Sequence, residues 1–332
     1  MRSRIGLLTI VLITASIAAT QTASMADEQT ATPIPTTVTP QPSSQTQKPF
    51  VPKTQSDLSI VTGNIQRPNG LAWYDNKLYT VCSGDWTLYA IDPTSGNTTQ
   101  YIYGIKNAHT LYAVTKDDKL SLWIPDFQSN ALVNIYEGVA STVASNLHGP
   151  WGITSIDTQT FGVTNLSGNS VTLITDAGDI KEVISKLRSP TGIASDDAYV
   201  YVANTGSTRR AIEWFDKSSV LKAETSIDSS EASKPLVSGL QNITNLSLGS
   251  DNMLYFSYSL GTRGVVGRVD PEVCRNNGGC TSDAVEIVLY TELPSPLAGL
   301  TITPDMKLFI HSIFSPEIYW VQLEDNSRDT AD

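Results

Sequence analysis

Short apolar runs separated by polar turn residues follow one another along most of the chain, without helical periodicity over any long window. The stretch from Arg67 to Gly96 shows the unit. It contains an apolar run from Gly70 to Trp73, a turn at Asp75-Asn76, and two further runs, Lys77 to Val81 and Thr87 to Ile91. The runs are rich in β-branched and aromatic residues, which is typical of strands between tight turns. The unit therefore predicts three consecutive β-strands.

Close variants of this unit recur along the chain. The apolar residue that opens each unit returns about every 40 to 54 residues, at Leu71, Leu111, Ile153, Ile193, Leu246 and Leu300. An outer strand precedes each unit, and Leu58 to Ile65 is a further copy before the first, whereas the chain ends after a third strand, Ile318 to Leu323. These features predict an all-β, six-bladed β-propeller whose last blade is closed by the N-terminal strand.

Two units are longer because polar runs, Lys217 to Lys234 and Pro271 to Asp283, are inserted in the fourth and fifth blades. The second insertion carries Cys274 and Cys280, and glycines between them permit a tight turn. In an exported protein this pair predicts a local disulfide. Metal binding by the pair is less favoured, because no further cysteine or nearby histidine completes a ligand set. Cys82 is left over, and we expect it to be buried and inert.

The N-terminal residues 1–26 are typical of a secretory signal peptide. Arg2 and Arg4 precede an apolar run from Ile5 to Ala19, and Ser24-Met25-Ala26 supplies small residues for cleavage. An uncleaved anchor is the alternative. We expect a secreted or extracytoplasmic protein, in the periplasm or at the cell surface, with no stable membrane span after cleavage.

Composition divides the remaining chain into three parts. Residues 27–56 are rich in Pro, Thr, Ser and Gln and predict a disordered leader, 57–323 form the propeller, and 324–332 are a polar tail. The chain has 22 Lys and Arg against 33 Asp and Glu, a net charge of −11. This charge repels nucleic acid and anionic membranes, so we expect neither as a partner. We expect a monomer.

Two stretches resemble known propeller families. Ser189 to Asp216, SPTGIASDDAYVYVANTGSTRRAIEWFD, resembles an NHL repeat, and RPNGLAWYDNKLYTV resembles the matching segment of SMP-30/gluconolactonase-like propellers. The resemblance covers about Leu58 to Leu323 and implies the fold. Such propellers include lactonases, lyases, sugar-processing enzymes and interaction modules. The lactonase-like members hold a divalent metal with a glutamate, asparagines and an aspartate, whereas the matching columns here contain Asn69 without the acids. We therefore expect no metal and no other cofactor.

A propeller binds its ligands at one mouth of the channel that the innermost strands line. One column of the units reads Asn69, His109, Trp151, Thr191, Thr244 and Ala298, with Arg67, Asn107, His148, Ser189 and Asn242 around it. This hydrogen-bonding ring suits a neutral or anionic organic ligand, or a sugar-like one stacked on Trp151. We predict that the ligand contacts Arg67, Asn69, His109, His148, Trp151, Thr191 and Thr244. A polar lining that only holds water is the open alternative.

Catalytic residues are not predicted, because the nucleophile elbow Gly-x-Ser-x-Gly and a phosphate-binding glycine loop are missing from the sequence. For His109 and His148 a structural or solvated role is favoured over that of a base, and His311 is expected to be a satisfied core or channel histidine.

Two functions fit these observations. The first is a non-catalytic binding or interaction propeller that presents its channel mouth and loops to a small organic molecule or a protein. The second is an SMP-30-like hydrolase or lyase, with His109 or His148 as the base and Arg67 stabilising negative charge. The missing acidic ring favours the first.

Overall fold

The computed structural model describes residues 50–232, 234–313 and 315–324. Contacts divide the chain into residues 1–49 and residues 50–332. The predicted signal peptide and most of the predicted leader and tail lie outside the described residues. In the described part, 26 strands form six sheets of four or five strands. The prediction of a six-bladed β-propeller is confirmed.

Each blade has four antiparallel strands, with the strand that opens the sequence unit innermost, and blades three and four each add a fifth, parallel strand. Blade one contains β2 (Pro68–Tyr74), β3 (Lys77–Cys82), β4 (Thr87–Ile91) and β5 (Thr98–Tyr103), and blade two contains β6 (Tyr112–Lys116), β7 (Lys119–Asp126), β8 (Ala131–Tyr136) and β9 (Val139–Ala144). Blade three contains β10 (Pro150–Ser155), β11 (Thr160–Asn165), β12 (Ser170–Thr175), β13 (Ile180–Ser185) and β17 (Ile227–Asp228). Blade four contains β14 (Pro190–Ser195), β15 (Tyr199–Asn204), β16 (Ile212–Asp216), β18 (Lys234–Ser238) and β22 (Cys280–Thr281).

The last two blades complete the ring. Blade five contains β19 (Gln241–Leu248), β20 (Leu254–Leu260), β21 (Arg263–Val269) and β23 (Glu286–Pro294), and blade six contains β24 (Leu297–Ile302), β25 (Lys307–Ser312), β26 (Ile318–Gln322) and β1 (Ser59–Thr62). The helices are α1 (Lys217–Lys222), α2 (Ser229–Ala232) and α3 (Pro271–Asn276), with short 3-10 turns at Gln55–Asp57 and Ser282–Ala284.

Ring closure follows the prediction. Strand β1 pairs antiparallel with β26, with Ser59 opposite Trp320 and Ile60 opposite Tyr319. Blade six is therefore built from both ends of the propeller, and its core packs directly on that of blade one. The buried residues Leu71 and Leu78 of blade one lie in one cluster with Phe309 of blade six. This closure joins the first and last blades without an open seam.

The two insertions add an outermost strand to the preceding blade. Strand β17 pairs parallel with β13, where Ile227 lies opposite Ile184, and β22 pairs parallel with β18, where Cys280 lies opposite Val237. Lys53 makes an equivalent parallel bridge to Leu289 of β23. In all three cases the added segment comes shortly before the outer strand of the next blade. Each such segment covers a sheet edge that would otherwise expose unpaired backbone groups.

The disulfide between Cys274 and Cys280 is present, as the sequence predicts. It joins α3, whose N-terminus is capped by the Asp270 carboxylate, to the added strand β22. Arg275, in α3, stacks its guanidinium 3.9 Å above the ring centre of Tyr199 in blade four. The insertion is thereby held on blade four. Cys82 is a free buried cysteine, and burial raises the pKa of its thiol to about 12, which keeps it protonated.

Candidate functional site

The six innermost strands come closest together at the residue just before the aligned apolar position. Glycine occupies this place in four blades, as Gly70, Gly152, Gly192 and Gly299. A Cβ on Gly152 would lie 2.2 Å from the carbonyl oxygen of Thr191, and one on Gly192 would lie 2.5 Å from the amide nitrogen of Leu246. Only glycine permits this approach of one backbone to the next. The channel is therefore narrow at this level, which we call the constriction.

Hydrogen bonds between neighbouring blades surround the constriction at all six junctions; two of the side chains, Thr164 and His311, lie in second strands. The bonds are Gly70 N to Ala108 O (2.9 Å), Thr110 Oγ1 to Trp151 O (2.7 Å), Thr164 Oγ1 to Thr191 O (2.6 Å), Thr191 Oγ1 to Ile243 O (2.7 Å), Thr244 Oγ1 to Leu297 O (2.6 Å), and the contact of His311 Nε2 with Asn69 O. Because buried backbone carbonyls need a donor, these side chains fix the spacing of the blades.

Three of the predicted ligand contacts lie in this framework. The hydroxyls of Thr191 and Thr244 are buried and donate to the next blade. The side-chain amide of Asn69 is buried as well and donates to Asn107 Oδ1 at 2.6 Å. Their polar groups are thus used between blades. These three residues of the polar column make hydrogen bonds between neighbouring blades. A ligand could bond to their polar groups only by displacing those hydrogen bonds.

His109 and Trp151 form a stacked pair, with ring centres 3.5 Å apart and planes 3° from parallel. Phe127 meets both rings edge-on. Burial lowers the pKa of His109 to about 3, so the imidazole is neutral at pH 7. Among the described residues, His109 Nδ1 and Trp151 Nε1 are buried without a hydrogen-bond partner. One face of Trp151 is covered by the imidazole, so a sugar ring cannot stack there.

Arg67 and His148 are exposed at the same end of the inner strands. Their backbone groups hold turns: the carbonyl of Arg67 accepts from Ser83 N at 3.0 Å, and the amide of His148 donates to Asn165 Oδ1 at 3.1 Å. Their side chains are therefore available to solvent on the face where the inner strands begin.

His311 is fully buried at the junction of blades six and one. Its Nε2 contacts the carbonyl oxygen of Asn69, and its Nδ1 lies 3.1 Å from the carbonyl oxygen of Ser312. Burial lowers the pKa of His311, and the two carbonyls partly oppose that shift. The expectation of a satisfied core histidine agrees with this environment.

A cavity of about 330 Å³ lies in the channel beyond the constriction, toward the turns that join first and second strands. Six aliphatic side chains, one from each blade, line its inner part: Leu71, Leu111, Ile153, Ile193, Leu246 and Leu300. Residues one or two positions further along line its outer part, among them Trp73, Tyr112, Thr154, Ser195, Ser247 and Thr301. All of these side chains are uncharged.

None of the seven predicted contact residues is among those that line the cavity. The predicted column stands two positions before the aligned apolar residue, on the other side of the constriction. The cavity is lined mainly from that apolar residue onward, with Thr110, Gly192 and Asn245 just before it, so the predicted column and this cavity lie at different levels of the channel. Within the part of the chain that the structure describes, no three His, Cys, Asp or Glu side chains are grouped as a metal site.

Comparison with models of protein families gives no match, and no curated protein sequence matches the chain. Among solved structures the fold is similar to a gluconolactonase from Xanthomonas campestris, at 15% identity over 80% of this chain and 89% of that chain, with a TM-score of 0.59. It is also similar to a putative gluconolactonase, at 12% identity over 80% and 91% of the two chains, with a TM-score of 0.60.

A calcium-binding protein, regucalcin from Agrobacterium tumefaciens, is similar at 12% identity over 82% of this chain and 95% of that chain, with a TM-score of 0.56. At these identities the likeness concerns the fold. The predicted resemblance to gluconolactonase-like propellers is confirmed at that level. In the described residues, no helix has both the length and the apolar character needed to cross a membrane.

Proposed function

We propose that the protein is a binding propeller that holds a small uncharged organic molecule in the channel cavity. One observation carries this proposal: a cavity of about 330 Å³ is lined by uncharged side chains from all six inner strands. Small-molecule sites commonly begin near about 300 Å³ and combine an apolar lining with a few polar groups. The constriction narrows the inner end, so we expect the ligand to enter from the face of the turns between first and second strands.

The test is thermal unfolding of the protein with a panel of uncharged small molecules. A ligand that binds only the folded state raises the unfolding temperature in a concentration-dependent way. We expect hits with the wild type and their loss in Ser247→Phe and Thr301→Phe, which place a ring at the outer lining of the cavity. Ser129→Phe, at an exposed turn between the second and third strands of blade two, is the control. If the blocked variants respond like the wild type, the cavity is not the site.

The second candidate is a hydrolase or lyase, which the fold likeness to gluconolactonases favours. In this chain His109 would be a weak base, because its pKa is lowered to about 3 and proton abstraction at neutral pH needs a pKa closer to 7. His148 is the better candidate base, since its side chain is exposed. Lactone hydrolysis by the wild type that disappears in His148→Gln would favour this function over the first.

We also propose that the protein works outside the cytoplasm. The Cys274–Cys280 disulfide supports this, because such bonds persist in oxidising compartments. Fractionation of the cells that make the protein, with N-terminal sequencing of the product, tests both export and cleavage after residue 26.

A further inference from the structure

We infer that the cavity selects uncharged amphipathic molecules, with an apolar end against the aliphatic ring and a hydrogen-bonding head group among the outer hydroxyls. This inference rests on the proposed function and names the class of ligand. It follows from the order of side chains along each inner strand, from the constriction to the mouth.

The inner part of the cavity is mainly aliphatic; Thr110 and Asn245 also line it, and the side chain of each donates a hydrogen bond to a backbone carbonyl of the next blade. The six side chains at the aligned position are leucine or isoleucine, and they line the cavity together. Leu71, Ile153 and Leu300 keep only 5%, 6% and 6% of their surface exposed. An alkyl or aryl group placed against this ring removes that remaining apolar surface from water, which is favourable. A polar group at the same depth would lose most of its hydration against a mainly aliphatic surface.

The outer part carries hydroxyl groups. Thr154, Ser247 and Thr301 line it, and their hydroxyls make no hydrogen bond with other described residues. Ser195 also lines it and donates to the carbonyl oxygen of Asp196 at 3.0 Å. A hydroxyl both donates and accepts, so this level can satisfy an amide, an alcohol or a carbonyl group. Trp73 and Tyr112 add flat apolar surface at the same level.

Charge disfavours an anionic ligand at this site. The cavity lining offers no counter-charge, and an unpaired ion in such surroundings loses much of its hydration energy. In addition, each of the six turns between first and second strands carries an aspartate, namely Asp75, Asp117, Asp157, Asp196, Asp251 and Asp305. Asp196, Asp251 and Asp305 are paired with Arg275, Arg268 and Lys307, whereas Asp75, Asp117 and Asp157 form no ion pair among the described residues, so the turns offer an anionic ligand no unpaired cation of these three.

The experiment compares three probes with six carbon atoms each, hexanamide, hexanoate and hexylamine, by calorimetric titration of the wild-type protein. We expect the dissociation constant of hexanamide to be at least about tenfold lower than that of hexanoate, because only the amide keeps its hydrogen bonds without a buried charge. Equal or tighter binding of hexanoate or of hexylamine overturns the inference, since either would show that the site accepts a charged head group.

Two isosteric variants test the position of the head group. Thr154→Val and Thr301→Val remove hydroxyls while keeping the shape of the lining, and each should weaken hexanamide binding several-fold, roughly the value of one hydrogen bond. Thr158→Val, at an exposed turn of blade three, makes the same change outside the cavity and should have no effect. Unchanged affinity in both cavity variants refutes the placement of the head group.

The two proposals fail in different ways. If no uncharged molecule in the wider panel stabilises the wild type, the proposed function itself is refuted. If panel members bind and are blocked by Ser247→Phe, but hexanamide does not bind or small polyols without an apolar end bind more tightly, only the amphipathic class is refuted.

Discussion

Thr80 is a buried threonine whose hydroxyl has no hydrogen-bond partner among the described residues. It lies in β3 opposite Leu71, the aligned apolar residue of blade one. The corresponding residues opposite the aligned position are Val163 in blade three and Val202 in blade four. Valine therefore already occupies the position equivalent to Thr80 in two other blades. We predict that Thr80→Val stabilises the protein.

The size of the expected stability gain follows from the missing hydrogen-bond partner of the Thr80 hydroxyl. Burying a hydroxyl without a partner costs about 1 to 3 kcal/mol. Valine keeps the β-branched shape, so the substitution creates neither a cavity nor a clash. We expect a gain of about 1 kcal/mol in the free energy of unfolding, which corresponds to a rise of about 2–4 °C in Tm for a domain of this size.

Thr164 provides the matched control. It is also fully buried in a second strand, but its hydroxyl accepts from Gly152 N at 2.7 Å and donates to Thr191 O at 2.6 Å. Thr164→Val leaves a buried amide and a buried carbonyl without this partner, so we expect a loss of at least about 2 kcal/mol. The same chemical change thus has opposite signs at the two sites.

The assay is chemical denaturation of wild type, Thr80→Val and Thr164→Val, with thermal unfolding as a second measurement. A lower stability of Thr80→Val, while Thr164→Val behaves as expected, would refute the reasoning for Thr80, because its hydroxyl would then have a partner in solution such as a buried water.

Three further outcomes can be checked with the same denaturation assay. Because burial lowers the pKa of His109 to about 3, only the unfolded chain takes up this proton as the pH falls from about 6.5 toward 3, and stability should fall by at most about 1.4 kcal/mol per pH unit for this group. His109→Phe should reduce that slope, and equal slopes in His109→Phe and wild type would contradict the assignment. Replacing Cys274 and Cys280 by serine should cost about 2 kcal/mol by the loop-entropy estimate, and reductant should then destabilise only the wild type. Gly192→Ala should cost at least about 1 kcal/mol, because its Cβ would lie 2.5 Å from Leu246 N, whereas Gly63→Ala meets its nearest atom at 3.5 Å and should be nearly neutral.

The fold could be predicted from the sequence because its signals are local. Each strand is a short apolar run between turn residues, and the unit recurs six times, so the alignment of Leu71 with Leu300 already places the first and sixth blades. The closing strand β1 was predictable for the same reason, since an unpaired copy of the outer strand stands before the first unit. The local disulfide needed only the short spacing of its two cysteines.

The roles of the insertions could not be predicted in this way. Strand β17 is only two residues long, Ile227–Asp228, and its pairing with Ile184 joins segments far apart in the chain. Such a short segment has no periodicity of its own. Its strand conformation comes from the open edge of β13, so it depends on tertiary structure that the sequence pattern does not contain.

The position of the candidate site depends on the distance between neighbouring inner strands, which the sequence pattern does not show. Polar residues at the start of the inner strands, such as Thr191, suggested a ligand ring, but the neighbouring glycines allow the strands to come so close that the hydroxyl of Thr191 reaches the backbone of the next blade. The same close approach narrows the channel at this level, and the cavity that Ile193 and Ser195 line lies beyond it. Glycine in the repeat therefore has two effects. It lets neighbouring polar side chains make hydrogen bonds to the next blade, and it determines at which level of the channel the cavity lies. Widening the constriction should therefore change ligand affinity as well as stability, whereas substitution of the exposed Arg67 should change neither.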